Sequence, residues 1–376
     1  MGYNSIWLKN RLIVQEAGEA YAQQLITEAE LQSVKRIYPV GFYTPNYIIR
    51  IGMFLLTLLV LLFSLGLLGL VFLNDLDNQL NYLLLSFSLL CLIALAYFTR
   101  VKHHYQSGVD DALLYASALT FYFALVELFD LSETVNSFFA VSICTFAVLR
   151  YKDRAMTVLL CFSATTLLFF LLAEMKFVHI IPFILMLFGW GIYKFIQQKQ
   201  FTSTDIFQGC GSTAQVTALF IIYSAGNYFV VDQLNQTYLN LYAMPWHRWI
   251  FWLLTILLPF VYCFLGIRRK NRQLLIVGLL LIAASVFSVR HYYHLIPIEW
   301  MLLGLGSVLI IISLLLHRFF QTPVYGVGIE EVISGSDIHN LESLVIAETF
   351  PAEVPASQNT TFGGGSFGGG GTSGSY

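Results

Sequence analysis

Charge is what this sequence lacks. Only 11% of its 376 residues are Asp, Glu, Lys or Arg, against about 25% in an average soluble domain. A soluble chain needs a polar surface whatever the size of its core, so the deficit excludes an ordinary water-soluble fold. The formal net charge is −2, which leaves no basic field for nucleic acid. Cysteine is scarce too. Cys91, Cys144, Cys161, Cys210 and Cys263 form no C-x-x-C pair, and four lie in apolar runs where the thiol acts as a small hydrophobe. Their spacing fits neither a disulfide framework nor a zinc site. The phosphate-loop, nucleophile-elbow and dinucleotide motifs of soluble enzymes are missing. No cofactor and no metal are expected.

What is present is apolar and bulky: 57% hydrophobic residues, with 32 Phe and 21 Tyr. A helix crosses roughly 30 Å of hydrocarbon with about 20 residues. Ten runs meet that length: 51–73, 80–98, 112–129, 132–149, 155–173, 179–197, 213–231, 248–266, 273–289 and 298–317. The fourth is the weakest, its apolar part from Val135 to Leu149 being short and including Asn136, and the eighth holds Pro259, a kinking residue. Lipid cannot satisfy free backbone groups, so these runs must be helices. The expected fold class is therefore all-α: a polytopic integral membrane helical bundle, with the lipid bilayer as its partner.

Lys and Arg orient the bundle. Seventeen of the 20 basic residues fall on one side when ten spans alternate, leaving Lys176, Arg248 and Arg290 on the other. Cytoplasmic connections are enriched in basic residues, which puts both termini inside (N-in/C-in) at an inner (plasma) membrane. The first apolar run begins near Ile48, too deep for a cleavable signal.

Flanking the 48–320 core are two further segments. Residues 1–47 read as a cytoplasmic amphipathic helical hairpin. Ile6, Leu8, Leu12 and Ile13 mark its first helix. Thr27 and Glu30 have capping-box spacing before Leu31, Val34 and Ile37. Residues 321–376 turn acidic and then glycine-rich, with no Lys or Arg after Gly326. Such a composition cannot bury enough surface to order itself. Either end could dock a protein partner, through the hairpin or through Phe362, Phe367 and Tyr376 in the tail.

The run Leu25-Ile26-Thr27-Glu28-Ala29-Glu30-Leu31 ahead of the spans resembles uncharacterised bacterial multi-spanning membrane proteins that place a short helical element before a polytopic core. The tail Thr361-Phe362-Gly363-Gly364-Gly365-Ser366-Phe367 is similar to that of membrane-anchored proteins of the thylakoid-phosphatase-like group. No soluble domain of that group is visible in these residues, so its activity is not implied. The first resemblance implies no activity.

Ionisable groups inside spans are costly and usually functional. Glu127 is the one acid well inside an apolar run, either reaching the outer interface or serving as a proton or cation site. On the outer side, Glu174, His179, His247, Arg248, Arg290, His291, His294 and Glu299 either line a polar vestibule or belong to an aromatic belt. The seventh run is the most polar. Its Gln215, Thr217, Ser224 and Asn227 could bond neighbouring helices or line a solute path. Three functions follow: an assembly, scaffold or sensor component of the membrane; a small-solute transporter with 5+5 inverted repeats; and an outer-face lipid-modifying enzyme.

Overall fold

A computed structural model describes residues 2–71, 76–129, 132–175, 180–199, 205–238 and 248–292, with isolated positions between 303 and 318. All of these lie in the first of the two units into which the chain divides, Met1–Val332. The expected tail at 321–376 and most of the 298–317 run lie outside the described residues.

Among the described residues the fold is all-helical. Its elements are α1 (Ser5–Ala22), α2 (Glu28–Ile37), α3 (Tyr47–Val71), α4 (Leu76–Arg100), α5 (Val109–Phe129) and α6 (Glu133–Tyr151). They continue with α7 (Arg154–Glu174), α8 (Ile181–Gln198), α9 (Gln208–Gly226), α10 (Tyr228–Tyr238), α11 (Arg248–Arg268) and α12 (Arg272–Tyr292). Among the described residues, seven of them, α3 to α7, α11 and α12, are long and apolar enough to cross a membrane, and the α9–α10 pair, if it is one bent span, brings the number to eight. The chain is thus a multi-pass membrane protein. At 18 residues, α8 is shorter and ends in polar Lys194, Gln197 and Gln198.

Consecutive helices pair. The hairpins α4–α5, α6–α7, α8–α9 and α11–α12 pack along their lengths, and α9 also touches α7, α10, α11 and α12. Short connections force antiparallel neighbours. The turn between α6 and α7 is only Lys152 and Asp153. Lys152 takes the left-handed conformation (φ 53°), and Asp153 caps α7 by accepting from Met156 N at 2.8 Å. The central position of α9 explains its polarity, since its side chains meet protein on several sides and not lipid.

In contrast, α3 packs chiefly on α5 and buries none of its span. Its Gly66 and Gly69 face open space, whereas Gly278 on α12 lies against Cys263 and the backbone of α11. Close helix contact is therefore made by Gly278, and also by Gly189 and Gly266, and not by the glycines of α3.

The run read as one span at 213–231 is bent. α9 starts earlier, at Gln208, and its axis turns by 69° into α10 at Asn227. Asn227 is a good helix N-cap. Its Oδ1 accepts from Phe229 N at 2.9 Å, starting α10 where hydropathy alone would continue α9.

Candidate functional site at the amino-terminal end of the bundle

The first helix is built into the bundle. Asn4 caps α1 through Ile6 N, and Tyr3 and Leu8 join a core containing Phe87, Leu95, Leu113 and Met156. The second helix closes its Thr27–Glu30 capping box and packs on α1. Hydrogen bonds to Thr27 hold the Glu30 carboxyl below its ordinary range. Leu31 is buried while Ile37 and Tyr38 are exposed.

Between α4 and α5, residues 101–108 fold back on a buried carboxylate. Asp110 is 1% exposed. Its Oδ2 accepts from Tyr3 Oη at 2.7 Å and Gln106 N at 2.8 Å. Its Oδ1 accepts from Ser107 N at 2.8 Å and Ser107 Oγ at 3.0 Å. Four donors thus converge on this carboxyl at the positive end of α5. Burial, then the Asp110 charge, push the Tyr3 phenol well above its ordinary pKa, so it stays a donor. Ser107 spends its hydroxyl proton on Asp110, so the 2.8 Å contact with His104 requires the proton on His104 Nδ1. Burial pulls the His104 pKa down, against the pull of Asp110.

Beside it, Arg50 Nε and Nη2 both donate to Asp111 Oδ2, at 3.1 and 2.6 Å. The turn fits only because residue 108 is glycine. Its φ is +92°, and a Cβ there would stand 2.2 Å from the Arg50 carbonyl oxygen. A short parallel bridge from Tyr43 to His104 ties in the segment after α2.

This arrangement leaves a two-chambered crevice between α1 and the starts of α7 and α9. The inner chamber, about 80 Å³, is lined by Arg11, Tyr105, Lys152, Arg154 and Asp205 among others. The outer chamber, about 320 Å³, shares Leu12, Gln15, Arg154 and Gly209 and adds Glu16 and Glu19. Arg11 stacks 4.6 Å over Tyr105. Burial pulls the Lys152 ammonium below its ordinary pKa.

A second polar cluster sits at the α9–α10 bend. Asn227 Nδ2 donates to Tyr223 Oη and Ser288 Oγ, both at 2.9 Å. Thr255 Oγ1 accepts from Tyr228 N at 2.9 Å and donates to the Phe251 carbonyl at 2.7 Å. Tyr292 Oη donates to Asp232 at 2.5 Å. The cavity beside the bend is about 20 Å³, lined largely by apolar side chains such as Phe169, Ile181 and Leu185.

The residues expected from sequence are scattered. Glu127 is exposed near the end of α5. Glu174 is exposed and accepts from Thr134. Arg248 lies 5.6 Å over the Tyr228 ring, and His291 packs on Phe229 at 4.8 Å. Arg290 has a buried Nη1 with no hydrogen-bond partner among the described residues. His179, His247, His294 and Glu299 lie outside the described residues. Of the expected polar face, Thr217 donates to the Thr213 carbonyl, Gln215 is half-buried, Ser224 borders the small cavity, and Asn227, just past the end of α9, bonds Ser288 of α12. Among the described residues, no three His, Cys, Asp or Glu side chains converge on one point.

Sequence reasoning missed Tyr3, Asp110, Lys152 and Arg154. One signal was readable: Asp110 and Asp111 follow Ser107-Gly108 at the start of an apolar run, the place for first-turn acids. The others required the tertiary fold. No protein-family description, curated protein or solved structure matches this chain.

Proposed function

We propose that the chain is a sensor or scaffold component of the inner (plasma) membrane, with ten spans and both termini in the cytoplasm, and that it works through its amino-terminal end. One observation carries this reading: α1 is locked to the bundle by a buried Tyr3–Asp110 hydrogen bond, and a polar crevice lies beneath it. An amphipathic helix resting loosely on lipid would have no need of a buried anchor. The seventeen basic residues set this end inside. Exposed Ile37 and Tyr38 at the end of α2 offer a surface for a partner, as does the acidic, glycine-rich tail.

The transporter reading draws on the bent α9–α10 pair, since broken helices often bind solutes. Here the Tyr228 and Phe229 N–H groups at the bend are taken up by Thr255 and Asn227, and Ser288 holds the Asn227 side chain, which favours a packed joint over a conduit. Affinity purification of the tagged chain from its native membranes tests the scaffold reading. Removing residues 326–376, or introducing Ile37→Asp, should each strip members from the co-purifying set. An identical set from all three chains would sink it.

A further inference from the structure

The inner chamber collects positive charge from three elements. Arg11 comes from α1, Lys152 from the α6–α7 turn and Arg154 from the first turn of α7, facing the single carboxylate Asp205. Lys152 is only 7% exposed. Its Nζ donates to the Leu149 carbonyl at 3.0 Å and lies 5.2 Å from the Phe207 ring, and it meets no carboxylate among the described residues. A buried ammonium without a counter-charge is costly. This one also occupies a left-handed position that favours glycine. Arg154 makes no hydrogen bond or ion pair among the described residues. It lies across Gly209, where a Cβ would stand 3.0 Å from its Nε. The start of α9 also borders the chamber. It has no side-chain cap, and the Gly209 and Cys210 N–H groups meet no carbonyl among the described residues. The neighbouring acids are already engaged: Asp153 accepts from Met156 N and Tyr115 Oη, and Asp110 is saturated.

We propose that this chamber binds the phosphoryl group of a small phosphate-bearing molecule, held by Arg11, Lys152, Arg154 and the start of α9. Its size, about 80 Å³, suits one tetrahedral oxyanion. The outer chamber, about 320 Å³, houses the rest of the ligand. Glu16 and Glu19 stand there, so that remainder is neutral or carries an amine, and a second phosphate is disfavoured. The shared chemistry is a phosphomonoester, whether from a soluble metabolite or from a lipid headgroup. The inference rests on the amino-terminal end being the working end. It is tested without any protein partner, so its failure is separable from that of the scaffold reading.

The test uses the purified full chain in an uncharged detergent. Thermal unfolding is followed against sodium phosphate, with sodium chloride at matched ionic strength as reference. Phosphate should raise the midpoint beyond chloride. Arg154→Gln should weaken the apparent affinity by about tenfold or more; that side chain is exposed and makes no hydrogen bond or ion pair among the described residues, so the variant folds and its own phosphate-free midpoint serves as its reference. Glu127→Gln, far along α5, should titrate as the parent does. Nanodiscs containing phosphatidic acid separate the sources. A bound lipid that phosphate displaces identifies a headgroup; phosphate binding with no retained lipid identifies a soluble ligand. A phosphate response equal to that of chloride, or an Arg154→Gln chain that titrates like the parent, would overturn the proposal.

Discussion

Tyr3 reaches across 107 positions of sequence to the Asp110 carboxylate, and that bond, beside those from Gly2 N to the Arg150 carbonyl and from Arg11 to Gln106, couples a peripheral helix to the bundle. A hydrogen bond to a buried charge contributes about 1.5–3 kcal/mol. Tyr3→Phe keeps the ring contacts with Tyr105 and Tyr151 and removes only the donor. Equilibrium unfolding in mixed micelles should register a loss within that range, and a change below about 0.5 kcal/mol would contradict a structural role for the bond. His104 gives this region a pH dependence of defined sign. Its folded pKa lies below the ordinary 6.5, through burial. Above 6.5 both folded and unfolded chains hold it neutral. As pH falls below 6.5 the unfolded chain takes the proton first, so stability declines until pH passes the lower folded value. His104→Gln should flatten this part of the unfolding-midpoint profile against pH. An unchanged slope would assign the dependence to another group. None of this pairing was legible in the sequence, because a Tyr at position 3 and an Asp at position 110 carry no local mark of each other.

Among the helices, hydropathy read existence well and joints poorly. α3 to α7, α11 and α12 were legible because lipid-crossing runs leave few other options. The bend at Asn227 was not. A single Asn in an apolar run can bond a neighbouring helix or cap a new one, and Thr255 and Ser288 on other helices settle the matter. Small residues were equally ambiguous. Gly278 and Gly66 look alike in sequence, yet a Cβ at 278 would stand 2.7 Å from Cys263 Sγ and 2.9 Å from its backbone nitrogen, and one at 66 would touch nothing. Gly278→Leu should therefore cost about 1–3 kcal/mol or more through forced separation of α11 and α12, whereas Gly66→Leu should stay within about 0.5 kcal/mol. Unfolding of both variants in one micelle system checks the pair, and equal losses would contradict the packing described.

For the whole molecule, the sparse charges are unevenly placed. The outer-side residues singled out from sequence either scatter over several helices or lie outside the described residues. The basic residues that looked like ordinary topological markers include Arg11, Lys152 and Arg154, which the fold draws into one crevice. Lys152 was hidden by its company: Arg150, Lys152 and Arg154 read as a solvated cytoplasmic loop, and only the two-residue turn between α6 and α7 buries the middle one. Topology signals and binding residues can thus be the same side chains, which is why composition located the membrane but not the site.

The most direct measurement is labelling of a cysteine placed at Gln15, an exposed position bordering both chambers. A membrane-impermeant maleimide is applied to sealed vesicles of each orientation, with the parent chain, whose cysteines are buried or half-buried, as background. Gln15→Cys should react only in inside-out vesicles. Labelling from the outer face would contradict the account, because the crevice would then lie on the wrong side of the membrane.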